Sequence, residues 1–403
     1  MGLITSIGND RATVGQNLID LRHGIENPDF LAPDSSPVKV AGTVKDFDVD
    51  SSDPEDWIYP AEYAVPRATI RSFSPHVLYA WCAVKQAILD ASLSDEDLTD
   101  PDAGLYSSSG GSMRSIHQHF QKMDRRGVMA CNPLAIVASI AGTLTFNLVA
   151  TLGIRGSSTG MVSACASSGH ALGMALDEIR LGRQKRMLVV GAEDCNFESI
   201  VPFCGMRALS LETNPNLASR PFDSKRNGFV GTGGSVCLVL ETETEARRRG
   251  ATPYAKFTGW GQGSDGYNVA ISHPEGRGLK DSMQNALKDA KVSPENIDYV
   301  NAHDRPLGLY YFGADKNEEN EVTSRTISGG VTINDLLVHA TQEGLPFGGV
   351  GASGMGAYNG IEGFKNFSHA KPIYRQTPIE KALQMMRPPY AEKFYNLLKS
   401  MAN

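Results

Sequence analysis

The sequence predicts a layered α/β fold with a mixed central sheet. Helical and strand-like patterns alternate from about residue 10 to about residue 300 of the 403-residue chain. Two short, continuous apolar runs, Met187–Gly191 and Ser235–Leu240, are typical of strands covered on both faces. Alternating elements of this kind favour helices packed against a sheet. The length suffices for two or three domain-sized units.

The predicted elements follow in order along the chain. Apolar residues at helical spacing predict a helix over Val77–Ala91, and the apolar, small-residue stretch Leu134–Leu152 predicts one buried helix. A second unit is expected to begin near Thr252. Its predicted elements are a strand at Tyr254–Gly259, a helix at Leu279–Ala290, a turn at Ser293–Asn296 and a strand at Ile297–Asn301.

Composition and charge exclude several classes of protein. The formal net charge of −7 and the isoelectric point near 5.8 oppose nucleic-acid binding. The sequence has no run of about 18 apolar residues, so no membrane span is predicted. It has no charged-then-apolar leader, so no secretion signal is expected. None of the six cysteines lies in a Cys-x-x-Cys pair, which argues against a zinc or disulfide framework. Reduced thiols in a cytoplasmic enzyme are the expectation.

Cys165 is the candidate nucleophile. It lies in Ser163–His170, between a strand-like stretch and a predicted helix from Ala166 to about Leu181. At a helix N-terminus the macrodipole and unpaired N–H groups lower the pKa of a thiol, and a thiolate accepts acyl groups. A buried structural cysteine is the alternative that spacing alone leaves open. The other five cysteines are expected to be structural, and His170 to pack or to cap the helix.

Several stretches resemble the beta-ketoacyl-acyl-carrier-protein synthases, which have a thiolase fold. Ser163–His170 resembles their nucleophile motif, and Arg220–Asp223 followed by Arg226–Val230 resembles a loop that lines their active site. Ile297–His303 resembles the strand that carries their first catalytic histidine. The likeness covers about residues 2–303. It implies a thiolase-like α/β/α architecture with Cys165 as nucleophile, His303 as a donor to the enolate oxygen and Phe229 in the substrate pocket.

The resemblance also implies a reaction and partners. The reaction is acylation of the cysteine, followed by decarboxylative condensation with malonyl-carrier protein in fatty acid biosynthesis, without a cofactor. The implied partners are acyl-carrier protein, malonyl-carrier protein and a second copy of the chain. Positions similar to the family's carrier-docking residues are Arg67, Arg71, Arg125 and Arg126. A solvated basic face is the alternative for each of these arginines.

After His303 the sequence departs from the family pattern. Where the synthases continue as Gly-Thr-Ser-Thr, this chain has Asp304, Arg305 and Pro306. The family's Gly-His-Thr-Leu-Gly-Ala-Ala-Gly stretch, which carries a second histidine, does not occur in the sequence. Loss of one oxyanion donor costs about 10²–10³ in rate, so impaired condensation and a truncated second half of the fold are expected.

The C-terminal part resembles a different family, the aldehyde dehydrogenases of the coniferyl-aldehyde type. Arg305–Phe312, Ser328–Asp335 and Leu345–Gly356 carry this likeness, which runs from about residue 301 to residue 389. That family's nucleotide-binding domain and catalytic residues lie upstream of the matched part. The predicted domains are therefore residues 1–250 and 251–303 of synthase type and 304–403 of dehydrogenase type. An NAD(P)-dependent aldehyde dehydrogenase and an inactive chimera are the alternative functions.

Overall fold

A computed structural model describes most of the N-terminal three quarters of the chain. The described residues are 1–32, 36–220, 226–269 and 272–297, with the short strands 308–311 and 330–333 and the single residues 316 and 399. His303 and the predicted strand at Ile297–Asn301, apart from its first residue, lie outside the described residues.

A five-stranded mixed sheet is the centre of the molecule. The strands of the described residues are β1 (Gly2–Ile4), β2 (Ile25–Glu26), β3 (Ala41–Gly42), β4 (Ala103–Ser108), β5 (Ser158–Met161), β6 (Arg186–Glu193), β7 (Gly234–Glu241), β8 (Gly308–Tyr311) and β9 (Gly330–Ile333). The central sheet has the order β1-β7-β6-β4-β5. β4 runs parallel to β5 and β6, whereas β7 runs antiparallel to β6 and β1. β2 pairs with β3, and β8 pairs in parallel with β9.

Helices cover both faces of this sheet. The α-helices of the described residues are α1 (Arg11–Ile19), α2 (Arg67–Ile70), α3 (Pro75–Asp90), α4 (Asp95–Thr99), α5 (Met113–Arg126), α6 (Ala135–Ser139), α7 (Thr143–Leu152), α8 (Ser167–Arg180), α9 (Phe197–Ile200), α10 (Pro215–Ala218), α11 (Glu243–Arg248) and α12 (Arg277–Ala290). None of them is long and apolar enough to cross a bilayer.

The alternation of side chains along β6 shows the two layers directly. Leu188 and Val190 belong to the core cluster that contains α3 and part of α7. Met187 and Val189 belong to the cluster on the other face, with the small side chains of α8. Successive residues of a strand point to opposite faces, so both faces of β6 are buried. The predicted layered α/β/α architecture with a mixed sheet is confirmed.

The predicted single helix over Leu134–Leu152 is wrong. The structure has two helices, α6 and α7, separated at Ile140–Gly142. Gly142 has a φ of 86°, which a glycine adopts readily and which ends the regular α-helical path. Several apolar side chains of this stretch are exposed, including Phe146 at 65% of its surface. Leu144 and Leu148 of α7 are fully buried in the core, so the stretch is two helices that are each only partly buried.

The other predicted elements have mixed outcomes. Val77–Ala91 corresponds to α3, Leu279–Ala290 to α12, and both apolar runs to strands β6 and β7. Tyr254–Gly259 is not a strand, because this segment has no ladder partner among the described residues and runs irregularly toward α8. Tyr254 is exposed there, and its hydroxyl donates to Asp90 Oδ1 at 2.7 Å.

The segment after residue 250 is attached to α8 by a compact set of contacts. The Trp260 indole N–H donates to Asp177 Oδ2 at 3.1 Å, and its backbone N–H donates to Asp289 at 2.9 Å. Arg180 of α8 forms an ion pair with the same Asp289 carboxylate at 2.6 Å. A Cβ at Gly173 would lie 2.0 Å from the Trp260 ring. The glycine thus creates the space into which the indole packs.

Substitution of Gly173 by alanine is expected to lower the free energy of unfolding by about 1–3 kcal/mol, because the ring has to move. Gly169, on the same helix, is the matched control, since a Cβ there meets no atom within 4 Å. Gly169→Ala is expected to stabilise the protein by about 0.5–1 kcal/mol through helix propensity. Urea denaturation of both variants measures the difference; equal effects would contradict the proposed steric cause.

Candidate active site

Cys165 lies in a tight turn between β5 and α8. The residue before it, Ala164, has a φ of 51°, a left-handed conformation that is uncommon outside glycine. Ala166 caps α8, which begins at Ser167. The predicted helix from Ala166 is therefore confirmed to within one residue. The thiol is carried at the start of the helix, on backbone held in an unusual conformation.

Hydrogen bonds within the turn hold this conformation. The Ser167 hydroxyl accepts from the Ser163 N–H and donates to the Ala164 carbonyl, both at 2.7 Å. The N–H groups of Ala166 and Ser167 donate to the carbonyls of Ser163 and Ala164, both at 3.2 Å. A left-handed alanine costs about 1–2 kcal/mol. These four bonds offset that cost.

The start of α8 is also anchored to the sheet. The Ser168 hydroxyl lies 2.7 Å from that of Ser108, the last residue of β4. A Cβ at Gly191 of β6 would lie 2.6 Å from the Ser168 oxygen. The helix start therefore sits directly over the ends of two neighbouring strands, which fixes its position relative to the sheet.

Cys165 differs from the other cysteines in its surroundings. Its side chain is exposed, whereas Cys82 and Cys237 are buried. Burial raises the pKa of the Cys82 thiol above its usual range and raises those of Cys195 and Cys237 to about 12. These three thiols are therefore protonated at neutral pH. Cys165 combines access to solvent with a position at a helix start, which is the setting of a reactive thiol.

Phe229 lies in the loop before β7, where it forms a bridge with Leu209. Its ring packs edge-on against Phe203 with 5.6 Å between centroids, and 49% of its surface is exposed. Its backbone is bonded to Ala208 and Ser210 at 2.9 and 2.8 Å. The side chain is thus partly supported and partly free, as a pocket wall requires. The predicted pocket role stays a prediction.

The four predicted docking arginines lie in or beside one cleft. Arg71, Arg125 and Arg126 line a cleft of about 490 Å³ between α2, α5 and the segment before them. Arg67 reaches the same region through Glu55, whose two oxygens bond Arg67 Nε at 2.6 Å and Arg71 Nε at 2.5 Å. The structure brings these four positions together.

Two further cations of this cleft were missed from the sequence. Arg114 and Lys122 of α5 line it as well. The signal was available, because residues 114, 118, 122 and 126 follow one another at four-residue intervals and so share one face of a helix. Arg114 is paired with Asp50 at 2.8 Å.

A buried polar network at the end of β6 was also missed. Asp194 accepts from the His76 backbone N–H at 2.6 Å and from the Ser112 hydroxyl at 2.5 Å, and all three residues are buried. Burial raises the pKa of Asp194, but the hydrogen bonds from His76 and Ser112 outweigh it and hold the pKa below its usual range. The network joins the starts of α3 and α5 to the sheet. Residues 76 and 194 are too far apart in sequence for any local pattern to reveal it.

No group of three or more histidine, cysteine or acidic side chains within the described ranges is arranged to hold a metal ion. His303 lies outside those ranges, so its predicted meeting with Cys165 stays a prediction.

Comparison with known proteins identifies the family. The beta-ketoacyl synthase N-terminal domain matches residues 1–246, and the C-terminal domain of the same family matches residues 254–307. The chain belongs to the beta-ketoacyl synthase family. It is an acyltransferase of the 3-oxoacyl-acyl-carrier-protein synthase type, with the thiolase-like fold of that family.

Individual relatives agree with this assignment. The chain is 33% identical over 326 residues to 3-oxoacyl-acyl-carrier-protein synthase 1 of Haemophilus influenzae, covering 78% of this chain and 75% of the relative. It is 30% identical over 389 residues to synthase 2 of Staphylococcus aureus, covering 94% of this chain and 87% of the relative. A beta-ketoacyl synthase structure from Burkholderia phymatum has a TM-score of 0.66 at 28% identity, covering 91% of this chain and 83% of that one.

The C-terminal part has a second match. The aldehyde dehydrogenase family matches residues 287–373. Residues 287–307 therefore match both families, in agreement with the predicted change of resemblance near Asn301–His303. The alignment to the Staphylococcus aureus synthase spans 94% of the chain, so some synthase likeness continues past this point. The predicted truncation of the second half of the fold is not confirmed.

Proposed function

We propose that the protein elongates an acyl chain carried on acyl-carrier protein, as in fatty acid biosynthesis. The observation that carries the proposal is the exposed Cys165 thiol, placed at the start of α8 on a left-handed turn. The names of the relatives specify acyl-carrier protein as the substrate carrier. An exposed thiol at a helix start can accept the acyl group of a thioester.

The reaction would proceed in two stages. The Cys165 thiolate attacks the carbonyl carbon of the acyl thioester, a new S–C bond forms, and the carrier thiol leaves with a proton. Malonyl-carrier protein then loses CO₂, and the resulting enolate carbon attacks the acyl-cysteine carbonyl and expels the cysteine thiolate. His303 is proposed to donate a hydrogen bond to the enolate oxygen, and Phe229 to line the acyl pocket.

Acylation of the intact protein tests this function. The protein is incubated with a labelled long-chain acyl-carrier protein, digested and mapped by mass spectrometry. The label is expected on the peptide that contains Cys165. A correctly folded protein that carries no label there would refute the proposal. Release of CO₂ from malonyl-carrier protein, measured separately, reports whether the second stage is impaired, as the missing second-histidine stretch leads us to expect.

The basic cleft is proposed as the docking surface for the acidic carrier. Arg71, Arg114, Lys122, Arg125 and Arg126 line it, and Arg67 lies beside it. Two carboxylates pair with these cations: Glu55 with Arg67 and Arg71, and Asp50 with Arg114. The cations therefore outnumber these two carboxylates. A surplus of one sign in a cleft attracts a partner of the opposite sign and raises its association rate.

Replacement of Glu55 by glutamine is expected to raise the association rate constant of the carrier by about two- to fivefold at low salt, since it removes the carboxylate that holds Arg67 and Arg71. Stopped-flow mixing with fluorescent acyl-carrier protein measures the rate. Glu243→Gln is the control, because it makes the same charge change at an exposed pair with Arg247 on α11. No gain for Glu55→Gln, or an equal gain for both variants, would contradict docking at this cleft.

A homodimer is proposed through the free edge of the central sheet. Within the described residues, β5 pairs with β4 alone and forms the end of the sheet. Apolar side chains are exposed beside it, with Phe146 at 65% and Val162 at 57%. An unpaired strand edge flanked by apolar surface favours association with a second copy. Sedimentation equilibrium is expected to give twice the chain mass of 43.4 kDa.

The alternative function, an aldehyde dehydrogenase, is based only on the match of residues 287–373 to that family. We propose a synthase of two domains, residues 1–250 and 251–303, joined to a segment of coniferyl-aldehyde dehydrogenase type at 304–403 that adds no dehydrogenase activity. That family's cofactor domain precedes the matched part and has no counterpart in the sequence before residue 287. A fluorescence titration with NAD is expected to show no binding. Saturable binding with aldehyde oxidation would favour the dehydrogenase instead, and an inactive chimera would show neither activity.

A further inference from the structure

His170 makes a contact that neither a packing nor a capping role explains. Its Nδ1 lies 2.6 Å from the hydroxyl oxygen of Ser163, seven residues earlier and across the turn that carries Cys165. His170 is half-buried on the first turns of α8, and Ser163 is exposed. The contact therefore spans the mouth of the turn from its strand side to its helix side.

We infer that His170 is a positioning residue for the Cys165 nucleophile and acts through Ser163. This inference rests on the proposed function of Cys165. Ser163 and Cys165 lie on either side of the left-handed Ala164. A restraint on the Ser163 side chain therefore acts within the turn, two residues before the nucleophile.

The other hydrogen bonds of the turn do not hold the side chain of Ser163. Ser167 fixes the Ser163 N–H and the Ala164 carbonyl, which are both backbone groups. The side chain of Ser163 has its bond to His170 alone among the contacts of this turn. Without that bond the serine can change rotamer, and the turn loses the contact that links its strand side to the body of α8.

The geometry matters because the left-handed turn is intrinsically unfavourable. Each lost bond shifts the balance toward conformations in which Ala164 relaxes and the thiol moves from the helix start. A displacement of about 1 Å at a reacting atom costs up to about 10²-fold in rate. Loss of a single exposed hydrogen bond makes only part of that change, so a three- to tenfold decrease is expected.

Four variants test the inference. His170→Ala and Ser163→Ala each remove the contact, and the double variant removes the same single contact. All three are therefore expected to lower kcat for Cys165 acylation by about three- to tenfold with little change in KM. Effects of two residues that act through one contact are not additive. His170→Asn keeps a polar atom near the Nδ1 position and is expected to restore most of the rate. That rescue and the kcat-against-KM split separate positioning from a general loss of structure.

A second measurement does not depend on acyl transfer. Hydrogen–deuterium exchange of the peptide that covers residues 163–168 is expected to be faster in His170→Ala and Ser163→Ala than in the wild type or His170→Asn. His23→Ala is the matched control, since it breaks a histidine contact of 2.8 Å to Asn216 outside the turn. It is expected to change neither the exchange of this peptide nor the acylation rate.

The outcomes separate this inference from the proposed function. If the wild type acylates Cys165 and the alanine variants do so equally fast, the positioning role is refuted and the function stands. If the wild type does not acylate, the proposed function fails, and the exchange data decide the inference: unchanged exchange refutes it and faster exchange in the alanine variants supports it. Additive effects of the two alanine substitutions would also refute it.

Discussion

Replacement of Cys165 by alanine is expected to abolish acyl transfer from the carrier, with a decrease on the order of 10³-fold or more, because the turn then carries no thiol and its serine hydroxyls are much weaker nucleophiles. The folded structure is expected to survive. The side chain is exposed, and surface substitutions usually change the free energy of unfolding by less than about 0.5 kcal/mol. Loss of activity without loss of stability is expected for a catalytic residue and not for a structural one.

Cys131→Ala serves as the matched control. Cys131 is half-buried in a loop after α5, and its thiol has only long contacts to backbone carbonyls, at 3.8 and 3.9 Å. The control is expected to retain the wild-type rate. Single-turnover transfer of a labelled acyl group is measured for both variants, together with thermal unfolding. Residual transfer above about one tenth of the wild-type rate in Cys165→Ala would show that another group accepts the acyl chain.

The same turn shows what the sequence reveals and what it conceals. A cysteine before a run of small and apolar residues at helical spacing was enough to predict its place at a helix start. The left-handed Ala164 and the Ser163–His170 contact were not visible, because alanine carries no preference for positive φ. That conformation is imposed by the sum of several hydrogen bonds. Each of them joins residues whose types are common in any turn.

The two strands predicted from continuous apolar runs, β6 and β7, were found for a physical reason. β6 is buried on both faces, so the run from Met187 to Val190 inside it is apolar at every position and indicates a covered strand. The stretch Leu134–Leu152 is equally apolar, yet parts of it are exposed beside the sheet edge. An apolar composition indicates that side chains are shielded from water. It does not indicate whether they pack in the core of the same chain or against a second copy of the chain.

Long-range polar groups were the main features that the sequence did not reveal. His76 and Asp194 are separated by 118 residues, and Arg186 reaches partners 89 and 55 residues away. A charged residue at the start of an apolar strand looks like the solvated end of that strand. In the folded protein Arg186 is completely buried. Only the fold brings its partners into place.

Replacement of Arg186 by leucine is expected to have the largest effect on stability, a decrease of about 3–5 kcal/mol in the free energy of unfolding. The guanidinium donates to Glu241 Oε1 at 2.7 and 2.9 Å and to Asp97 Oδ1 at 3.0 Å. The Glu241 side chain is only 7% exposed. Removal of the arginine leaves this carboxylate in a poorly solvated site with less compensating charge.

Arg249 is expected to reduce this loss of stability, because it also donates to the Glu241 carboxylate, at 2.9 and 3.0 Å. The lower part of the range is therefore expected for Arg186→Leu alone, and Arg186→Leu combined with Arg249→Leu is expected to lose more than the sum of the two single effects. Arg183→Ala is the control. It breaks an exposed pair with Glu178 at 3.0 Å, which contributes about 0–1 kcal/mol.

Urea denaturation of the wild type and these four variants separates a buried network from a set of independent pairs. Additive losses would mean that Arg186 and Arg249 neutralise Glu241 independently, and a loss below about 1 kcal/mol for Arg186→Leu would mean that water enters the site and solvates the carboxylate. Because Arg186 begins β6 and Glu241 ends β7, the cluster joins these two neighbouring strands at the end of the sheet opposite to the start of α8. A weakened cluster is therefore expected to lower global stability while the rate of Cys165 acylation in the folded fraction stays unchanged.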